Sequence, residues 1–274
     1  MYNPAQTRQL TPHVWMMPGY PNAVIVVGKT GVLAVDTGLG TPNGRIVAAE
    51  AKRLAPGRKL YLVTTHFHPE HAAGFGGFPG DTVLIRPRVQ QRELVLDHER
   101  MVARFAIDNP EVLKNPVFGT PELFDHERDI DLGGVHARAI YAGPAHTAGD
   151  TSVFIPEDSV LVTGDTIQNR FGPTFLGGGI GPAPWLATVK RLAVLKPKLI
   201  IPDHTQPGPG ARIIADEEAI LSEMVTRTAA AKKAGQTREQ AIASVMKTIR
   251  AERPGWNIGP LADDGVARAY DAAK

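Results

Sequence analysis

Short apolar runs separated by turn residues dominate the first third of the chain. Runs at 13–17, 23–27, 32–35, 59–65 and 82–85 are rich in Val, Ile, Leu and Met and are bounded by Gly, Pro, Asn or Asp, which predicts β-strands. Between the third and fourth runs, residues 43–54 carry Ile46, Val47 and Leu54 toward one face before Pro56-Gly57, which predicts a helix ending there. The second half repeats the alternation, with strands predicted at 122–130, 135–141, 152–155 and 160–163, a helix at 184–195 and a strand at 199–201. Strands alternating with helices indicate an α/β fold in which sheets are covered by helices. Two segments stand apart from this scaffold. Residues 88–105 read as an inserted helix offering Val89, Leu94, Leu96, Val102 and Phe105 for packing, broken by Asp108-Asn109-Pro110. Residues 213–274 read as helices with breaks near 235–237 and 254–256, and Thr237 to Glu239 offers an N-cap before Ile242, Val245 and Ile249. No internal repeat of fixed period is present.

The densest chemistry follows the run that ends at Thr65. His66, His68, Glu70 and His71 fall within six residues, so two histidines leaving a strand can aim at one ion and a carboxylate with a third histidine at a second. A closed zinc site takes four ligands and a catalytic one keeps a position for water, so partners must come from elsewhere. His146 lies in Gly143-Pro144-Ala145-His146-Thr147, Asp165 in Thr163-Gly164-Asp165-Thr166 and His204 in Pro202-Asp203-His204-Thr205, each past an apolar run or within a turn. A histidine on its own is more often a surface or core residue, and Gly-Asp-Thr is good turn chemistry; it is the ordered company that favours ligands. Asp36, in Asp36-Thr37-Gly38, stabilises its turn or orients a ligand histidine from behind. His13, His98, His126 and His136 fit no such pattern.

In this order the residues resemble the metallo-β-lactamase fold superfamily of metallohydrolases. Its usual first motif, His-x-His-x-Asp-His, is matched by His66, His68 and His71 with Glu70 in place of Asp, and the later His, Asp and His by His146, Asp165 and His204. Residues 21–27 and the 31–38 strand and turn extend the likeness, which covers roughly residues 13–210. The resemblance implies a four-layer αβ/βα sandwich of two mixed sheets flanked by helices over residues 1–210, with 211–274 a helical extension packed on the same domain. It also implies that His66, His68 and His146 hold a first ion, that Asp165 bridges, and that His71, His204 and Glu70 hold a second.

Composition narrows the picture. The chain has 274 residues, 43% hydrophobic and 21% charged, an ordinary globular balance. A formal net charge of +2 with no concentrated run of Lys and Arg gives no expectation of a nucleic-acid surface. Cysteine is absent, which removes disulfides and thiolate ligands together. No apolar segment approaches a membrane span and no leader is visible, so the expected partner is a small-molecule substrate, not a membrane, and the expected compartment is cytoplasmic, or periplasmic if a leader has been removed. The composition carries no signal for oligomeric state.

Imidazole and carboxylate ligands without sulfur suit Zn2+, with Fe or Mn compatible. The expected activity is that of a zinc-dependent hydrolase acting on a carbonyl-type substrate such as a β-lactam, lactone or ester, with Glu70 and Asp165 as the catalytic carboxylates. Glu70, one methylene longer than the usual Asp, ligates the second ion, contacts only the reactive water, or points away. Tyr20, Phe171, Phe175, Trp185 and the 75–78 segment are expected to form an apolar rim, and the Gly-rich stretch 170–181 to line the pocket. Other readings from the same residues are a non-haem iron redox protein of this fold and a catalytically silent metal-binding protein.

Overall fold

In the computed structural model, which describes residues 1–176 and 179–274, the runs pair into two sheets laid face to face. The first sheet begins with β1 (Arg8–Gln9), β2 (Val14–Met17), β3 (Ala23–Val27) and β4 (Gly31–Val35), which are antiparallel in sequence order. Helix α1 (Gly40–Leu54) then crosses over to β5 (Lys59–Val63), parallel to β4. After the short helix α2 (Pro69–Ala72), β6 (Val83–Pro87) adds in parallel; helix α3 (Arg88–Ala106) leads to β7 (Glu122–Phe124), parallel to β6, which completes seven strands. The second sheet contains β8 (Glu127–Asp131), β9 (His136–Tyr141), β10 (Thr151–Ile155) and β11 (Val160–Gly164), antiparallel in order. Helix α4 (Pro182–Ala193) carries the chain to β12 (Leu199–Pro202), parallel to β11, and β13 (Gly208–Pro209) closes the six-stranded edge. Helices α5 (Gly210–Lys233), α6 (Arg238–Ala251) and α7 (Asp263–Ala272) follow. The fold is the four-layer αβ/βα sandwich.

Alternation along each strand divides its side chains between layers, because successive residues point to opposite faces. Val24 and Val26 face the space between the sheets, where they meet Val153, Ile155, Val160 and Val162 of the second sheet. Ile25 faces outward with Ala34 and Leu62, against Val47 and Ala51 of α1. Strands covered on both faces lose the polar half of the alternation, which is why they read as continuous apolar runs. On the far side, Phe154, Leu161 and Ile200 share one core with Trp185 and Val189 of α4, Leu221 and Met224 of α5, and Val245 and Ile249 of α6. The C-terminal helices are thus built into the outer layer of the second sheet. Thr237 is the N-cap of α6, in a reciprocal box with Gln240.

The single strand expected over 122–130 is two. β7 ends the first sheet and β8 edges the second, with Asp125-His126 at the corner. Phe124 and Ile130 both point into the space between the sheets, and their even separation keeps one unbroken period of two across the bend. Helices α1, α4 and α5 begin two or three residues earlier than their apolar periodicity suggested, because their first turns carry Gly or Pro. No helix among the described residues is long and apolar enough to cross a membrane.

Leu221→Ala empties part of the core that α5 shares with the second sheet. Its expected cost is about 2–5 kcal/mol, and urea denaturation followed by circular dichroism should show one transition shifted to lower urea. An early, separate loss of helix would show instead that the C-terminal helices unfold on their own.

Candidate metal centre

The ends of β4, β5, β11 and β12 and the loop between β9 and β10 meet at one edge of the sandwich. Thr151 N–H donates to the Thr65 carbonyl at 2.7 Å and joins the two sheets there. Asp36, directly after β4, takes the left-handed conformation at φ 66°, a position that costs a non-glycine residue free energy and is held by its surroundings. Gly164, at the end of β11, has φ 57° and lies against Thr65: a Cβ there would fall 2.7 Å from Thr65 Cβ. Only glycine lets the Asp165 turn approach the histidine loop this closely.

Four groups of donor atoms gather at this edge among the described residues; Asp36, His71 and Asp203 form the one at the back, and the other three make up the cluster. His66, His68 and His146 form one, His66, His71 and Asp165 a second, and Glu70, His71 and His204 a third, with the ligand atoms of each group within 4.8 Å of one another. His66 Nε2 lies 3.0 Å and His146 Nε2 3.2 Å from His68 Nδ1. Asp165 spans the groups, with Oδ2 at 3.3 Å from His146 Nε2 and Oδ1 at 3.1 Å from His204 Nε2. Glu70 turns inward, placing Oε1 3.7 Å from His71 Nε2, so it does not point away. The sequence-derived set of seven residues therefore converges in space, and Asp36 stands directly behind it.

The donor chemistry fits metal ions. His146 Nδ1 donates to the Thr174 carbonyl at 2.7 Å, which leaves Nε2 as a bare acceptor facing its neighbours. A proton on His68 Nδ1 can satisfy one of the two imidazoles it faces but not both, whereas a cation between the three satisfies all. His71 Nδ1 donates to Asp36 Oδ2 at 2.9 Å, and its Nε2, turned toward the cluster, has no hydrogen-bond partner although it is buried. Glu70 Oε2 is buried and unpartnered too. Buried polar atoms without partners are rare enough to call for an explanation, and metal ions held within the cluster supply one.

The field of the site points the same way. Burial, and then the neighbouring imidazoles, hold His66 and His68 well below the ordinary histidine range; burial lowers His146 despite Asp165. Those three are held in the neutral, ligating form. At His71 burial opposes charge, but Asp36 and Asp203 outweigh it and raise the pKa well above normal. Burial likewise opposes ionisation of Asp165, yet His204 and His146 outweigh it and keep the carboxylate ionised. Burial pushes Glu70 up to about 7.

Apart from Asp36, the buttressing residues carried no recognisable sequence signal. Asp36 accepts from Thr65 N at 2.7 Å and Thr65 Oγ1 at 2.9 Å while holding His71. Asp203, adjacent to His204, lies 3.2 Å from the same His71 Nδ1 and is pushed up to about 7 by burial and by Asp36. From α3, Gln90 Nε2 donates to the Thr64 carbonyl at 2.8 Å, and the Glu93 carboxylate accepts from Ala148 N at 2.8 Å and Gly149 N at 2.6 Å in the loop of His146. The buried Arg86 guanidinium donates to Thr64 Oγ1 at 2.9 Å. Gln168 Nε2 donates to Asp165 Oδ1 at 2.9 Å, and its backbone N–H to Glu217 Oε2 of α5 at 3.3 Å.

A cavity of about 620 Å3 opens over Glu70. Its wall comes from Tyr2, Tyr20, Leu39, Phe105, Ile107 and Val112, with Asn43, Asn109 and Arg104 among the polar members. Tyr20 stands at the mouth and stacks on His204 at 4.1 Å, in the expected place, and the end of α3 borders the pocket. Trp185 and Phe175 do not line it. Trp185 is fully buried on the inner face of α4, where its Nε1 donates to the Thr166 carbonyl at 2.8 Å and its ring backs His146 from 6.1 Å. Phe175 packs edge-on to Trp185 at 5.0 Å and against Gly265 of α7. Phe171 pairs with Asn257 of the C-terminal segment, and Phe75 and Phe78 stack beside α1. Trp185 and Phe175 are drawn into the core by the helices beside them, whereas Phe171 and Phe75 are half-buried. Of the Gly-rich stretch, Gly177 and Gly178 lie outside the described residues.

Residues 16–204 match the family model described as "Metallo-beta-lactamase superfamily". The chain belongs to this superfamily. Among curated proteins, it is 26% identical over 205 residues to the 2,4-dinitroanisole O-demethylase subunit alpha of Nocardioides sp. (strain JS1661), covering 72% of this chain and 57% of that protein. It is 23% identical over 222 residues to the linear primary-alkylsulfatase of Pseudomonas sp. (strain ATCC 19151), covering 68% of this chain and 42% of the other. The chain spans about half the length of these relatives. The structure of the inverting sec-alkylsulfatase Pisa1 from Pseudomonas sp. superposes with a TM-score of 0.77 at 17% identity, over 97% of this chain and 49% of that one. A metallo-beta-lactamase family protein from Thermus thermophilus superposes with a TM-score of 0.67 at 17% identity, over 95% and 93% of the two chains. These likenesses establish the shared fold, C-terminal helices included.

Two outcomes follow from the buttressing. Asp36→Asn should weaken metal uptake by about 10–100-fold, measured by competition with a chromophoric chelator; unchanged affinity would remove Asp36 from its supporting role. Glu217 is pushed up to about 8 by burial, against 4.5 as its ordinary value, so the folded chain holds a proton between those pH values that the unfolded chain releases. That contribution to stability is lost as pH rises through the window. Glu217→Gln should therefore gain on the parent protein in melting temperature from pH 5 to 8, and a constant difference would contradict the buried proton.

Proposed function

We propose that this protein is a metal-dependent hydrolase whose cluster holds two ions, zinc by donor type, and that it acts on small-molecule carbonyl-type substrates with an apolar body: a β-lactam, a lactone or an ester. His66, His68 and His146 would hold the first ion and His71, His204 and Glu70 the second, with Asp165 placed between the two sets. The observation that carries the proposal is the arrangement of donor groups spanned by Asp165, with Glu70 of that arrangement lining the 620 Å3 cavity. Ions held there would bring the pKa of water to about 7 and polarise a substrate oxygen. The protein's own part is positional and acid–base. Glu70 lines the cavity beside the donor groups and is placed to take the proton of the attacking water and return it to the leaving group. The tyrosines, Leu39, Phe105 and Ile107 hold the apolar body and exclude water from its surroundings.

The names of two relatives widen the test, since one is an alkylsulfatase and the other an O-demethylase subunit. A screen should present nitrocefin, lactones, p-nitrophenyl esters, an alkyl sulfate and an aryl methyl ether, each with and without chelator. Turnover of an ester or lactam should vanish on metal removal and return with Zn2+. Turnover confined to the sulfate or ether would move the substrate class, and no chelator-sensitive turnover on any compound would support a silent metal-binding protein. Bound iron with a visible absorption band would favour redox chemistry.

A further inference from the structure

We propose that Gln168 is a positioning residue that sets how Asp165 divides its two oxygens between the ions; the inference rests on the two-ion reading above. Rotation of an Asp carboxylate about χ2 is soft and roughly two-fold, so a carboxylate that must serve two ions from one side chain needs an external lock. Asp165 Oδ2 faces His146 and Oδ1 faces His204, and Gln168 Nε2 donates to Oδ1 at 2.9 Å. That hydrogen bond fixes the plane of the carboxylate. It also occupies one lone-pair direction of Oδ1, which leaves the other for an ion.

The lock is itself held from three sides. Gln168 Nε2 donates also to the Gly164 carbonyl at 3.1 Å, and Gln168 Oε1 accepts from Thr205 Oγ1 at 3.0 Å; a flip of the amide would set its oxygen against Asp165 Oδ1 and the Gly164 carbonyl and lose both of those bonds. Thr205 directly follows His204, and its Oγ1 accepts from Asn169 N at 2.9 Å. Gln168 therefore ties the loop that carries Asp165 to the loop that carries His204. From behind, Glu217 of α5 accepts from the Gln168 backbone N–H. Gln168 is 5% exposed and does not line the cavity, so substrate does not reach it.

The test is titration of metal-free protein with Co2+, which reports each site through its visible absorption, alongside the melting temperature of the metal-free form. Gln168→Met keeps length and volume but removes the amide. The expected result is a second Co2+ equivalent bound at least tenfold more weakly, with altered absorption bands, while the first equivalent binds as before. Thr205→Val should shift the second equivalent in the same direction in the parent protein and have no further effect on top of Gln168→Met. If Gln168→Met does not fold, Thr205→Val alone carries the test. Two equivalents bound with parental affinities and spectra in the variants would overturn the inference, whatever the melting temperature does. A parent protein that binds no second Co2+ would overturn the two-ion reading and this inference with it.

Discussion

The rest of the structure depends on a charge problem at one edge of the sandwich. Asp36, Glu70, Asp165 and Asp203 are all buried, beside four buried histidines and the nearly buried His204. Placing an ionised carboxylate in such surroundings costs several kcal/mol unless opposite charge lies within reach. The imidazoles nearest Asp36 and Asp165, His71 and His204, are shifted toward positive charge, whereas His66, His68 and His146 are held neutral with lone pairs facing inward. Positive charge is thus required at the centre of the cluster and cannot come from all the histidines at once.

The scaffold meets this requirement by bringing loops from both sheets to a single edge. The backbone there has little freedom: Asp36 is held at positive φ, and Gly164 lies too close to Thr65 for any side chain. Thr65 is the common point, bonded to Asp36 through its amide and hydroxyl and to Thr151 through its carbonyl. The first ligands follow it in the chain, so one residue sets the direction in which the whole histidine run leaves its strand.

How much of this was legible from the amino acids depended on whether the information was local. His66 to His71 announce themselves because metal chemistry restricts residue type and crowds four donors into six positions. His146, Asp165 and His204 were legible as turn residues at the ends of apolar runs. Gln168, Gln90 and Glu93 were not: an amide or carboxylate on a helix or turn reads as solvated surface, and only the fold shows which backbone groups it meets. The pocket failed for a related reason. Its wall is assembled from Tyr2, Leu39, Phe105 and Val112, far apart in sequence, while the aromatics beside the motif, Phe175 and Trp185, are claimed by α4 and α7.

Helix α3 serves two masters. Its last turn and the residues just beyond it, Arg104, Phe105 and Ile107, form part of the pocket wall, while its first turns hold, through Gln90 and Glu93, the loops that bear His66 and His146. The surface that would read a substrate and the foundation of the site are therefore one rigid rod of 19 residues. The cavity wall can change at the C-terminal end of that rod without touching those bonds, but an exchange of the whole segment between relatives would have to carry an amide and a carboxylate three residues apart at its start to keep both loops held.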